Sequence, residues 1–97
     1  MSVELTSRDR THLKGRAHAL EPVVRVGHAG VTPGLLAEID RALTAHELIK
    51  VRIDNPVRDE RVAVGDAVCA ATGAAAVHRV GKILIMWRPR PDAPATD

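Results

Sequence analysis

Ninety-seven residues, 45% of them apolar, are enough for one domain with a sizeable core and too few for two. Fourteen Lys and Arg against twelve Asp and Glu give a formal charge of +2, and the chain carries one Cys, one Trp and neither Tyr nor Phe. These values exclude an internal disulfide and a set of stacked aromatics for holding bases.

The start, Met1-Ser2-Val3-Glu4, has neither the basic residues nor the apolar run of a signal peptide. The longest apolar run, Ile83 to Trp87, is far short of a membrane span, so a cytoplasmic protein without membrane contact is expected. Thr6 followed by Asp9 gives a capping-box-like start, and Leu13, Ala17 and Leu20 recur at helical spacing, which predicts a first helix over 6–20 with basic residues on its other face. Pro22 to Val26 reads as a short strand. Thr32 before Pro33 is an N-cap residue before proline at the first helical position, and Leu35, Leu36, Ile39, Ala42 and Leu43 define a second amphipathic helix over 33–46.

Between that strand and that helix stands Gly27-His28-Ala29-Gly30. Two readings of these residues stand side by side. One is a tight turn that needs glycine for its dihedrals. The other is an anion grip, in which two glycines let a phosphate backbone approach without meeting a Cβ while the helix N-terminus supplies N–H donors and positive charge. A Gly-x-x-Gly loop clamps the RNA backbone in this way in KH domains.

Leu48, Ile49, Val51 and Ile53 make a second strand with Lys50 and Arg52 together on the face opposite Ile49, Val51 and Ile53. After the Asn55-Pro56 turn a third helix over 58–72 is expected to bury Val64, Ala67, Val68 and Ala71 and to end at Gly73. Cys69, among Val68, Ala70 and Ala71, reads as a small, inert core residue. Ala75 to Val80 and Ile83 to Arg88 are strands joined by Gly81-Lys82, and glycine in the first position of a two-residue loop predicts a type II′ hairpin. The order α-β-α-β-α-β-β predicts a single compact α/β domain over 1–90, a mixed four-stranded sheet with helices packed on it, followed by a flexible Pro-rich tail over 91–97.

Charge is unevenly spread: residues 1–30 carry +2, residues 31–66 carry −2, residues 67–91 carry +4 with no acid, and the tail returns −2. That distribution suggests a basic face made by the first helix, the glycine loop and the last two strands.

The chain resembles the YhbY-type CRM domain over Leu5 to Pro89. The resemblance rests on Leu13-Lys14 with Ala17-His18 and Leu20, on Pro22-Val23-Val24 running into Val26-Gly27-His28-Ala29-Gly30, and on Glu38-Ile39 with Ala42-Leu43. His46-Glu47-Leu48-Ile49-Lys50-Val51-Arg52, Ala71-Thr72-Gly73 and Met86-Trp87-Arg88-Pro89 complete it. It implies a fold similar to the C-terminal domain of bacterial translation initiation factor three, RNA binding through the loop and its basic surroundings, and association with precursors of the large ribosomal subunit. The family usually has Lys where this chain has His28, and a neutral imidazole holds phosphate less firmly than an ammonium.

His12, His18, His28, His46 and His78 do not pair with one another or with Cys69 at ligand spacing within one element, so no metal is expected. No nucleophile motif or P-loop is present, and neither enzymatic activity nor a cofactor is expected. Without Tyr or Phe, RNA would be held by its phosphates and its shape, which favours structured RNA, in particular ribosomal RNA. The expected contacts are Gly27, His28, Ala29 and Gly30 as backbone grip, with Arg8, Arg10, Lys14, Arg25, Lys50, Arg52, Arg79 and Lys82 as phosphate partners, in a protein that acts as a monomer. The alternative is a protein-interaction module whose basic face meets an acidic partner.

Overall fold

The computed structural model describes residues 5–89, so the tail expected over 91–97 lies outside the described residues. Three helices, α1 (Ser7–Ala17), α2 (Pro33–His46) and α3 (Arg58–Thr72), alternate with strands β1 (Pro22–Val26), β2 (Leu48–Ile53), β3 (Ala75–Val80) and β4 (Ile83–Trp87). The strands form one sheet in the order β1-β2-β4-β3, with β1 parallel to β2 and the other pairs antiparallel. The mixed four-stranded α/β sheet expected from the sequence is thus the observed one.

Helices cover both faces. Ile39 and Leu43 of α2 and Val68 of α3 bury against Ile49, Val51, Leu84 and Met86. On the other face Leu13 and Ala17 of α1 pack on Leu48, Val77 and Ile85, with Leu5 and Trp87 at the margin. Trp87 is therefore a packing residue of the hairpin.

Both predicted caps form. Thr6 Oγ1 accepts from the Asp9 N–H at 3.0 Å while Asp9 accepts from the Thr6 N–H at 3.1 Å, and Thr32 Oγ1 accepts from the Leu35 N–H at 3.1 Å. Gly73 closes α3 in the left-handed region at φ 71°. Gly81 has φ 56° and Lys82 is not among the positive-φ residues, the combination a type II′ turn requires.

Two expectations need correction. Helix α1 stops at Ala17 and Leu20 lies 37% exposed, because Glu21 precedes Pro22 and is pushed out of helical dihedrals where the chain turns into β1. The buried stripe of α3 is Gly65, Val68 and Cys69, with Val64 partly buried, whereas Ala67 and Ala71 are exposed. A Cβ at Gly65 would sit 3.3 Å from Leu84 Cδ2, so the missing side chain lets α3 approach the sheet, and the alanines are too small to impose another orientation.

Candidate nucleic-acid interface

One end of the sheet gathers the elements that matter. Register pairs Val26 with Ile53, the Asp54 N–H donates to the Val26 carbonyl at 3.0 Å, and the Ile53 N–H donates to the Lys82 carbonyl at 2.7 Å. The glycine loop after β1, the Asp54 turn after β2 and the hairpin tip therefore form one rim, joined by the first turns of α2 and α3.

Within the loop the Gly30 N–H donates to the Gly27 carbonyl at 3.1 Å, and Gly30 has φ 69°. Gly30 thus needs glycine for its backbone. Gly27 does not: its φ is not positive, and a Cβ built there meets nothing within 4 Å. Gly27, His28 and Ala29 are exposed, and Thr32 and Pro33 open α2 directly behind them.

Beside the loop, Arg25 and Arg52 are neighbours in register, and one row across the α1 side of the sheet runs Arg25, Arg52, Ile83, Val80. Helix α1 leaves this row open: the Arg25 side chain is 70% exposed and Val80 is 58% exposed. Both arginines use Nε to bond Asp54, Arg52 at 2.7 Å and Arg25 on the other carboxylate oxygen. Hydrogen bonds from Arg25 first and then Arg52 hold the Asp54 carboxyl below its ordinary range, so it stays ionised. One carboxylate thus fixes two guanidiniums whose outer nitrogens have no protein partner among the described residues. Lys50 Nζ donates to the Leu20 carbonyl at 2.9 Å, which ties it to the exit of α1.

The remaining predicted cations divide. Arg8 and Lys14 lie exposed on α1, and Lys82 stands at the hairpin tip. Arg10 donates to the Ala76 carbonyl and to that of Val77 at 3.4 Å, so part of its bonding holds α1 to β3. Arg79 is separated from the cations of the α1 side: it registers with Leu84 on the α3 side and pairs with Asp66, near Lys82 of the hairpin tip. Strict alternation would have put it on the α1 side with Val77, but the register shift between Ala76 and His78 inverts the pleat.

Sequence reasoning missed Arg58 and Arg61, which stand on the first turns of α3 beside the hairpin tip. The strand order supplies the missing signal, since only that order brings residues 58–61 against residues 79–82. Burial pushes the Cys69 thiol up, which keeps it protonated. Among the described residues no group of three or more His, Cys, Asp or Glu could hold a metal, and no helix is long and apolar enough to cross a membrane.

This sheet, with one helix on one face, two on the other and a Gly-x-x-Gly loop at its rim, defines a small α/β binding module. The chain belongs to the CRS1/YhbY (CRM) domain family, whose model matches residues 5–88. It is 43% identical over 89 residues to a Haemophilus influenzae protein named as RNA-binding, covering 92% of this chain and 90% of that one. A Pseudomonas aeruginosa relative is 40% identical over 87 residues, covering 90% and 84%. The fold is that of a hypothetical protein from Staphylococcus aureus solved in solution, with a TM-score of 0.82 at 24% identity over 94% of this chain and 95% of the other. The Pseudomonas relative is named a probable RNA-binding protein, as is one from Bacillus subtilis that is 29% identical over 84 residues, covering 87% of this chain and 88% of that one.

Proposed function

We propose that this chain is an RNA-binding protein that grips structured RNA, in particular ribosomal RNA of large-subunit precursors, and so serves ribosome assembly. The backbone of Gly27 to Gly30 approaches the phosphates, and Arg25, Arg52, Lys50 and Lys82, with Arg8 and Lys14 of α1, neutralise the strand on either side of the loop. The observation that carries this reading is Gly27, a glycine that neither its own dihedrals nor its packing requires. A position kept free of a Cβ over open space suits close approach from outside. The loop also faces the N-terminal end of α2, where N–H groups and the helix dipole favour phosphate. The protein acts in the cytoplasm as a monomer and needs no cofactor.

The name of the Haemophilus relative agrees with this reading. Salt titration tests it: each phosphate neutralised adds about −0.7 to −0.9 to the log–log slope of affinity against salt. Crosslinking in cells, followed by sequencing of the attached RNA, is expected to recover large-subunit precursor sequences. A salt-insensitive interaction, or crosslinks to acidic proteins alone, would overturn the reading.

A further inference from the structure

Where the first turns of α3 meet the tip of the β3–β4 hairpin, the structure has a cleft of about 270 Å³. Arg58, Arg61, Arg79 and Lys82 line it, and Ile53 and Leu84 supply apolar surface. The charge is little compensated. Asp66 pairs with Arg79, while the side chains of Arg58 and Lys82 have no ion pair or hydrogen bond among the described residues. Arg61 is held by neutral acceptors: Nε donates to the Gly81 carbonyl at 3.1 Å and Nη1 to the Asn55 carbonyl at 2.8 Å. Its guanidinium plane is therefore fixed and its charge is unspent.

We infer that this cleft takes one unpaired nucleotide of the bound RNA, its phosphate on Arg58 and Lys82 and its base on the apolar floor beside Arg61. Three cations without an acidic partner, Arg58, Arg61 and Lys82, select an anion, and the apolar floor selects one that carries a flat, carbon-rich body. A volume of about 270 Å³, just below the range of about 300 to 1,000 Å³ usual for small-molecule pockets, suits a single nucleotide. Unpaired bases stack on arginine planes as they do on aromatic rings. That matters in a chain without Tyr or Phe, whose Trp87 registers with Leu48 and Ala75 at the far end of the sheet. Two strand spacings, about 10 Å, separate the end of β1 from the hairpin, so one strand of RNA can cross from the glycine loop to the cleft. The inference rests on the RNA-binding reading for its ligand, and adds recognition of an unpaired base to a grip on phosphates.

Proton–nitrogen correlation spectra of the full chain test it, with titrations of adenosine and uridine 5′-monophosphates, uridine and inorganic phosphate at constant ionic strength. The amides of Ile53, Arg61, Gly81 and Lys82 should shift with both monophosphates, at affinities at least about fivefold tighter than for inorganic phosphate. Arg58→Ala and Lys82→Ala should each weaken nucleotide binding about threefold or more, while Arg16→Ala, at the other end of the sheet, should leave it within about twofold. Equal affinity for inorganic phosphate and nucleotides would reduce the cleft to an anion site and overturn the inference, as would shifts confined to other residues. A chain that binds structured RNA but no mononucleotide in the cleft loses this inference alone. One that binds mononucleotides there but no RNA loses the RNA-binding reading and keeps the cleft.

Discussion

The Gly30 N–H donates to the Gly27 carbonyl at 3.1 Å, closing a turn whose two glycines have different reasons for being glycine. At Gly30 the reason is internal, a φ of 69° that side chains tolerate poorly. At Gly27 no internal reason exists, because the dihedral is ordinary and the space beyond is open. The turn reading accounts for one glycine and the phosphate-grip reading for both.

Replacement of Gly30 should therefore show in stability. Gly30→Ala is expected to cost about 1 to 2 kcal/mol, the penalty for a side chain in the left-handed region, measured by urea denaturation. Gly30→Asn should cost less, since asparagine enters that region more readily. A Gly30→Ala protein as stable as wild type would mean that the loop relaxes to another geometry.

His28 should set the strength of the loop contact. His28→Lys places a full charge among the phosphates, so RNA affinity at pH 7.5 should rise and the log–log salt slope steepen by about 0.7 to 0.9. His28→Ala, which removes the side chain from the exposed loop, should bind no more tightly than wild type. An unchanged affinity and salt slope in His28→Lys would place residue 28 outside the phosphate contact.

The Asp54 clamp predicts a pH-dependent stability term. Arg25 and Arg52 lower its folded-state value, so the stabilisation is fully present above the unfolded carboxyl value of about 3.9 and is lost as pH falls through the lower, folded value. Asp54→Asn should lower Tm at pH 7, and the gap to wild type should close on acidification below about pH 4. Because the side chains of Arg25 and Arg52 are 70% and 43% exposed, high salt should narrow the gap at pH 7 too. A gap that persists unchanged at low pH would mean that the side chain acts through packing.

Much of this arrangement is legible in the sequence because its boundaries are chemically punctuated. Thr32-Pro33 and Gly73 place the start of α2 and the end of α3 at the residues observed, and the Gly81-Lys82 turn pairs β3 with β4. What stays hidden depends on contacts distant in sequence. The register shift at Ala76 to His78 carries Arg79 to the other face, and no local pattern marks it. The stripe of α3 turns on Gly65, where the informative feature is an absent side chain beside Leu84. Arg58 and Arg61 become neighbours of Lys82 only through the strand order.

The measurement that bears most directly on the loop as a phosphate grip is RNA binding by Gly27→Asp, with Tm recorded alongside. The ordinary φ and open surroundings of Gly27 leave the fold intact, so Tm should stay close to wild type. A carboxylate there would meet the phosphates, and affinity for large-subunit precursor RNA should drop at least tenfold, about 1.4 kcal/mol. Gly27→Ala, which adds only a Cβ, should fall between the two. A folded Gly27→Asp protein that binds the RNA as tightly as wild type would contradict the account and leave the loop as a turn.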